Sequence, residues 1–300
     1  MDLAIRTEGL TKHFGTHTAL DGLDLEVPTA GVFGFLGPNG AGKTTTIRIL
    51  LGLSRPSGGT AEVLGNPVGA GATALRRRTG YLPGNLALPE RPTGATYLDE
   101  LAGLRGLDLR SRHRELAERL DADLDRPMGV LSSGNRRKVG LIAALAHDPE
   151  LVVLDEPTSG MDPLVQRAFR ELAREAAAEG RTVFLSSHVL DEVQHTADRV
   201  AVLRAGRLVV EDRIEALLER VQRTVVLAFA GPPPEEAVRA VAAVDGVVSY
   251  RVDDHHLVVE LTGPAGDLLA AAAPWHPDDL RTTEPDLEDV FLGLYDGTTP

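Results

Sequence analysis

The 300-residue sequence contains no cysteine, which removes disulfides and thiolate metal sites from consideration without fixing the compartment. No apolar run reaches the length that a membrane span needs, and the start, Met1-Asp2-Leu3-Ala4-Ile5-Arg6, lacks the basic-then-apolar layout of a secretory leader. A soluble, cytoplasmic chain is expected, with any membrane association supplied by a partner. Basic residues are scarce at one end. Val221 to Pro300 holds 4 Lys or Arg against 14 Asp or Glu, a net charge of −10 out of −13 for the whole chain. That imbalance disfavours a nucleic-acid or anionic-lipid footprint there, and no nucleic-acid partner is expected. The length allows one large α/β core and a smaller second unit.

What is present is concentrated in Gly37-Pro38-Asn39-Gly40-Ala41-Gly42-Lys43-Thr44-Thr45. Two glycines, a lysine and a hydroxyl at this spacing form a phosphate-binding loop when a strand precedes them and a helix follows. Gly31 to Leu36 is short and apolar, as a buried parallel strand should be, and Thr45 to Leu53 reads as a helix. Glycines let such a loop fold tightly and aim backbone N–H groups at phosphate from a helix N-terminus. Lys43 would reach the β and γ phosphates of a nucleoside triphosphate, and the Thr44 hydroxyl would hold Mg²⁺.

Upstream, two alternating runs around Ala4 to Leu10 and Leu20 to Val27 predict an antiparallel hairpin or meander. Phe14, at the turn between them, either stacks on an adenine face or is a half-buried strand-end residue. Downstream, Thr60 to Leu64 and Thr79 to Leu82 read as strands with Gly65 to Gly71 as a loop. Leucine and alanine at helical spacing then predict a helical insertion at about 85–130. Ser132 precedes the helix Arg136 to His147 at an N-cap position, which is a sufficient explanation of that residue by itself. Leu151 to Asp155 is an apolar strand ending in Asp155-Glu156. A strand-end aspartate beside a phosphate loop suits a second Mg²⁺ ligand, and Glu156 could deprotonate an attacking water. His188 follows the strand Thr182 to Leu185; alone, such a histidine is usually structural.

From Thr224 the pattern restarts as strand, helix, two strands, helix and strand, with Leu287 to Tyr295 as a closing amphipathic helix. The order suggests a small ferredoxin-like α+β unit. His255-His256 falls in a turn with no third ligand at helical spacing, so solvent exposure is the simpler reading than metal binding.

Taken together, the loop at 37–45, Leu131 to Asn135, Asp155-Glu156, Ser159 to Asp162 and His188 resemble an ATP-binding cassette subunit in order and spacing, over about 1–215. The resemblance implies an α/β phosphate-loop ATPase core with an antiparallel β subdomain and helical insertion (1–220), followed by the acidic unit at 221–300. It makes Gly37 to Thr45 the Walker A loop, Asp155 and Glu156 the Walker B aspartate and catalytic glutamate, and Ser132-Ser133-Gly134 the signature. Asp162 becomes the D-loop aspartate, His188 the sensor of the γ phosphate, and Phe14 the replacement for the usual adenine-stacking tyrosine. ATP and Mg²⁺ are implied, as are a second copy of the chain and a transmembrane permease that holds the chain on the inner membrane face. Leu287 to Leu292 is similar to the closing segment of bacterial drug, antibiotic, lipid or polysaccharide exporter subunits. Translation-factor members usually carry two cassettes and chromosome-repair members insert long coiled coils, and neither feature is present; against a regulatory ATP-binding module with lapsed hydrolysis, suggested by Gly84, Ser133 and Asn135, stand the retained Lys43, Asp155, Glu156 and His188. Two departures stand out. Ser133 and Asn135 replace a glycine and a glutamine of the signature, and Gly84 stands where a glutamine normally couples the site to the permease, with Asn85 one residue on.

Overall fold

The computed structural model describes residues 2–69, 72–219, 221–283, 286–288 and 290–291. Its packing divides the chain into two compact units, Met1–Asp212 and Arg213–Pro300. Each has its own core.

The first unit opens with β1 (Leu3–Phe14) and β2 (His17–Pro28), an antiparallel pair longer than the alternation alone predicts. β3 (Gly31–Leu36) enters the centre of a second sheet and leads into α1 (Lys43–Leu50). β4 (Gly58–Val63) and β5 (Asn66–Pro67) complete the first sheet in the order β2-β1-β4-β5. The stretch Gly65 to Gly71, expected to be a plain loop, thus contributes an edge strand, too short to show a period, and α2 (Ala72–Arg77) follows it. After β6 (Thr79–Leu82) come α3 (Gly94–Arg105), α4 (Arg110–Arg119) and α5 (Ser133–Leu145), all of which pack on one another. β7 (Leu151–Asp155), α6 (Pro163–Ala178), β8 (Thr182–Ser187), α7 (Leu190–Gln194), β9 (Arg199–Arg204) and β10 (Arg207–Arg213) follow.

The large sheet runs β10-β9-β3-β8-β7-β6, with β9, β3, β8, β7 and β6 parallel. Covered on both faces, its inner strands are continuous apolar runs, fully buried in β7 and β8. Phe33, Phe35 and Phe184 meet at its centre, with ring centroids 5.9 and 5.3 Å apart. Because β3, β7 and β8 are neighbours, the residues that follow their C-terminal ends converge on one edge of the sheet, where ligands of open α/β sheets bind.

The second unit holds α8 (Ile214–Leu218), β11 (Gln222–Ala228), α9 (Glu235–Ala242), β12 (Val247–Asp253), β13 (His256–Thr262), α10 (Gly266–Ala272) and β14 (Asp279–Thr282). Its antiparallel sheet has the order β12-β13-β11-β14, so the first strand is central and its partners arrive from later in the chain. Val225, Leu227, Val259 and Leu261 pack against Val241 and Leu268, and Trp275, the one tryptophan of the sequence, lies half-buried against this cluster. His255 lies in the turn between β12 and β13, and His256 opens β13. The closing helix expected at Leu287 to Tyr295 falls largely outside the described residues. Among the described residues no helix is long and apolar enough to cross a membrane.

Candidate active site

β3 delivers the chain to the loop at Gly37, and α1 resumes at Lys43. Gly42, the residue before α1, has φ 114°, a region closed to side-chain-bearing residues. It offers no side-chain cap, in contrast to Ser132 at α5 and Asp162 at α6. The first-turn N–H groups of α1 are thereby left to an anion, at the positive end of the helix dipole. Pro38 to Thr45 line a cavity of about 580 Å³, together with Phe14, Gly84, Asn85, Asp155, Glu156 and His188. Gly37 sits at the mouth of the loop, where its carbonyl accepts from Lys43 Nζ at 2.5 Å.

Lys43 is buried, with its ammonium also 3.8 Å from Glu156 Oε1. Burial pushes its pKa below the ordinary lysine value, and the carboxylates of Glu156 and Asp155 oppose that shift. Asp155, 1% exposed, accepts from Thr44 Oγ1 at 2.8 Å and from the Ser186 hydroxyl. Glu156 has φ 53°, a left-handed conformation that costs a glutamate about 1–3 kcal/mol. Its Oε2 lies 2.7 Å from His188 Nδ1, so the histidine that sequence alone left as structural is drawn to the carboxylate. Phe14 is 53% exposed; its ring carries the Lys12 ammonium 4.8 Å from the centroid and joins the cavity wall.

The glycine at 84 has a local physical reason. A Cβ there would lie 2.9 Å from Asp155 Oδ2, so any larger residue at 84 would have to push the Asp155 carboxylate aside. Asn85 reaches the cavity wall beside it.

Ser132, Gly134 and Asp162 are not in this cavity. They line another, of about 740 Å³, with Asn135 and Lys138. Ser132 Oγ accepts from Asn135 N at 3.1 Å as the cap of α5, while Ser133, the first helical residue, is exposed. Asn135 clasps the helical insertion: its Oδ1 accepts from Asp123 N at 2.9 Å and its Nδ2 donates to Asp123 O at 2.8 Å. Asp162 accepts from Leu164 N and Val165 N, both at 3.1 Å, and those N–H groups hold its carboxyl below the usual range.

Residues 20–159 match the model of the ABC transporter family. The Nod factor export ATP-binding protein I of Sinorhizobium fredii is 34% identical over 306 residues, covering 98% of this chain and 86% of that protein. A daunorubicin resistance ATP-binding protein of Streptomyces coeruleorubidus is 37% identical over 310 residues, covering 98% and 96%. The chain belongs to the ABC transporter family. A solved ATP-binding subunit of an ABC transporter superposes on it with a TM-score of 0.66 at 28% identity, covering 72% of this chain and 92% of the other. As an ABC ATPase the chain binds and hydrolyses ATP.

Several residues of the cassette carry no signal in the sequence. Ser186 reads as the end of an apolar strand, yet its hydroxyl bonds Asp155. Arg137 looks like one of two solvated helix arginines but is buried, 9% exposed, beside the strand end of β7. Only the fold puts β8 next to β7 and α5 against β6 and β7.

Proposed function

We propose that this chain is the ATP-hydrolysing subunit of an exporter, driving a separate membrane permease by closing in pairs on two ATP molecules. The observation that carries the reading is the separation of the two cavities. The loop, Asp155, Glu156 and His188 lie in one, and Ser132, Gly134 and Asp162 line the other. A single chain therefore offers two different half-sites, and a second copy would complete each: Walker A of one chain against the signature of its partner. The names of the relatives, export and drug-resistance ATP-binding proteins, support the exporter class.

Within the first half-site, Lys43 and the α1 N-terminus would hold the β and γ phosphates, and Phe14 the adenine. The Thr44 hydroxyl and the Asp155 carboxylate form a hard-oxygen pair 2.8 Å apart that fits Mg²⁺, an ion that takes one or two protein ligands and fills its shell with phosphate and water. When bound, Mg²⁺ would neutralise charge on the phosphates. Glu156 would accept the proton of the attacking water, with His188 orienting its carboxylate.

For the permease, an apolar groove of about 330 Å³ beside the site is lined by Leu51, Leu86, Tyr97 and Leu101, with Arg76 and Arg105 at its walls. It suits an amphipathic helix of a membrane partner, which would keep the chain on the cytoplasmic face of the membrane. Cargo selectivity would lie in that partner.

The test separates binding from turnover. Glu156→Gln should lower steady-state ATPase by about 10² or more while ATP affinity holds, and should accumulate a Mg²⁺-ATP dimer on size exclusion. Lys43→Ala should lose ATP binding itself. Parental turnover in Glu156→Gln would overturn the assignment of the base.

A further inference from the structure

Arg137 lies in the second turn of α5, with its side chain directed away from the cavity that Ser132 and Gly134 line. Its guanidinium donates to four backbone carbonyls: Nε to Pro157 O at 3.1 Å, Nη1 to Gly84 O at 3.1 Å, and Nη2 to Asp155 O at 2.8 Å and to Glu156 O. All four acceptors are neutral carbonyls; burial pushes the guanidinium pKa down, and the nearby carboxylates of Glu156, Asp155 and Glu192 oppose that shift. Those carboxylates favour a cation here but do not fix its geometry, whereas the planar fork of arginine can hold several carbonyls in a fixed relation, which the single ammonium of lysine cannot.

The purpose is visible in which carbonyls are held. Asp155 O belongs to the peptide group before the Glu156 Cα, and Glu156 O to the one after it. Those two planes define the left-handed kink of Glu156, and one nitrogen grips both. The kink determines where the Glu156 carboxylate points, toward His188 and the loop lysine. The same guanidinium also ties down Gly84, whose backbone lies against the Asp155 carboxylate.

We infer that Arg137 is the positioning residue for Glu156. α5 then carries two things: at its N-cap, the surface that meets a partner's nucleotide, and one turn on, the brace that aims the base of its own chain. Engagement of Ser132 by a second copy reaches Glu156 through one helical turn and one side chain. This rests on the proposed roles of Glu156 and Ser132.

Arg137→Lys keeps the buried cation and removes the fork; Arg137→Gln keeps two donors and removes the charge. Each should lower kcat by about tenfold to a hundredfold, the scale of a small misplacement of a reacting group, while KM and equilibrium ATP affinity stay within about twofold. Since Arg137 acts through Glu156, Arg137→Lys in the Glu156→Gln background should cause little further loss. Parental kcat in the arginine variants would overturn the inference. So would a fall in kcat matched by equal losses of ATP affinity and melting temperature, or full additivity in the double variant, since each marks a merely structural role. If Arg137→Lys fails to fold, Arg137→Gln carries the same three readouts. Parental activity in Glu156→Gln alone would instead remove the base on which the brace depends, whereas an inactive Glu156→Gln beside a fully active Arg137→Lys would sink the brace only.

Discussion

Phe14 ends β1 with more than half its surface open, where the strand needs no aromatic for its packing, and Lys12 covers only part of the ring. Phe14→Ala should therefore weaken ATP binding by about 1–2 kcal/mol with little change in melting temperature, and Phe14→Tyr should be near neutral; an equilibrium titration with no change on Phe14→Ala would return the residue to a strand-end role. His147 is a residue of the opposite kind. Burial, helped by the nearby Arg105 charge, holds its imidazole down to about 4, and its Nε2 has no hydrogen-bond partner. The folded value lies below the ordinary 6.5, so the unfolded chain takes the proton first. Stability from this ring is complete above pH 6.5 and is lost as pH falls toward 4. Unfolding free energies from urea titrations between pH 6.5 and 5 should fall less steeply for His147→Asn than for the parent, by about 1 kcal/mol after allowance for partial exposure; parallel curves would count against it.

At the level of elements, α5 is capped and clasped at the end that faces the second cavity, and this lets two roles of Ser132 be told apart. Replacing a capping serine by glycine costs only a few tenths of a kcal/mol, whereas loss of a hydroxyl needed by the partner's nucleotide removes the paired state. In a Glu156→Gln background, Ser132→Gly should abolish the Mg²⁺-ATP dimer on size exclusion with a nearly unchanged melting temperature; a surviving dimer would leave Ser132 as a cap alone. The cap was legible in the sequence, as were β3, the loop and α1, because each is local: a hydroxyl before a helical period, or a glycine run between an apolar strand and a helix. α2 and β5 were not, being too short to show a period. Asn135 reads as a departure from a family pattern, and only the return of the insertion at Asp123 explains why a short amide suits that place. Gly84 and Arg137 are similar cases, since what each does depends on a strand end that lies far away in sequence.

Across the whole molecule, charge and cores are divided unevenly. Nearly all the net negative charge lies beyond residue 220, while every residue lining the cavity at the glycine-rich loop lies before 190. Spacing can announce strands in both halves, but the sheet orders, with β3 between β9 and β8 and β11 between β13 and β14, are long-range outcomes that no window of sequence contains. The position of Trp275 gives the two units separate optical signatures. The only indole packs against the second core, so fluorescence excited at the red edge of the spectrum reports that unit alone, while far-ultraviolet circular dichroism reports both. Mg²⁺-ATP stabilises only what binds it. In a denaturant series it should shift the dichroism curve to higher concentration and leave the fluorescence curve where it was; if both curves move together, the units unfold as one cooperative body, and the tryptophan becomes a remote dye for nucleotide occupancy.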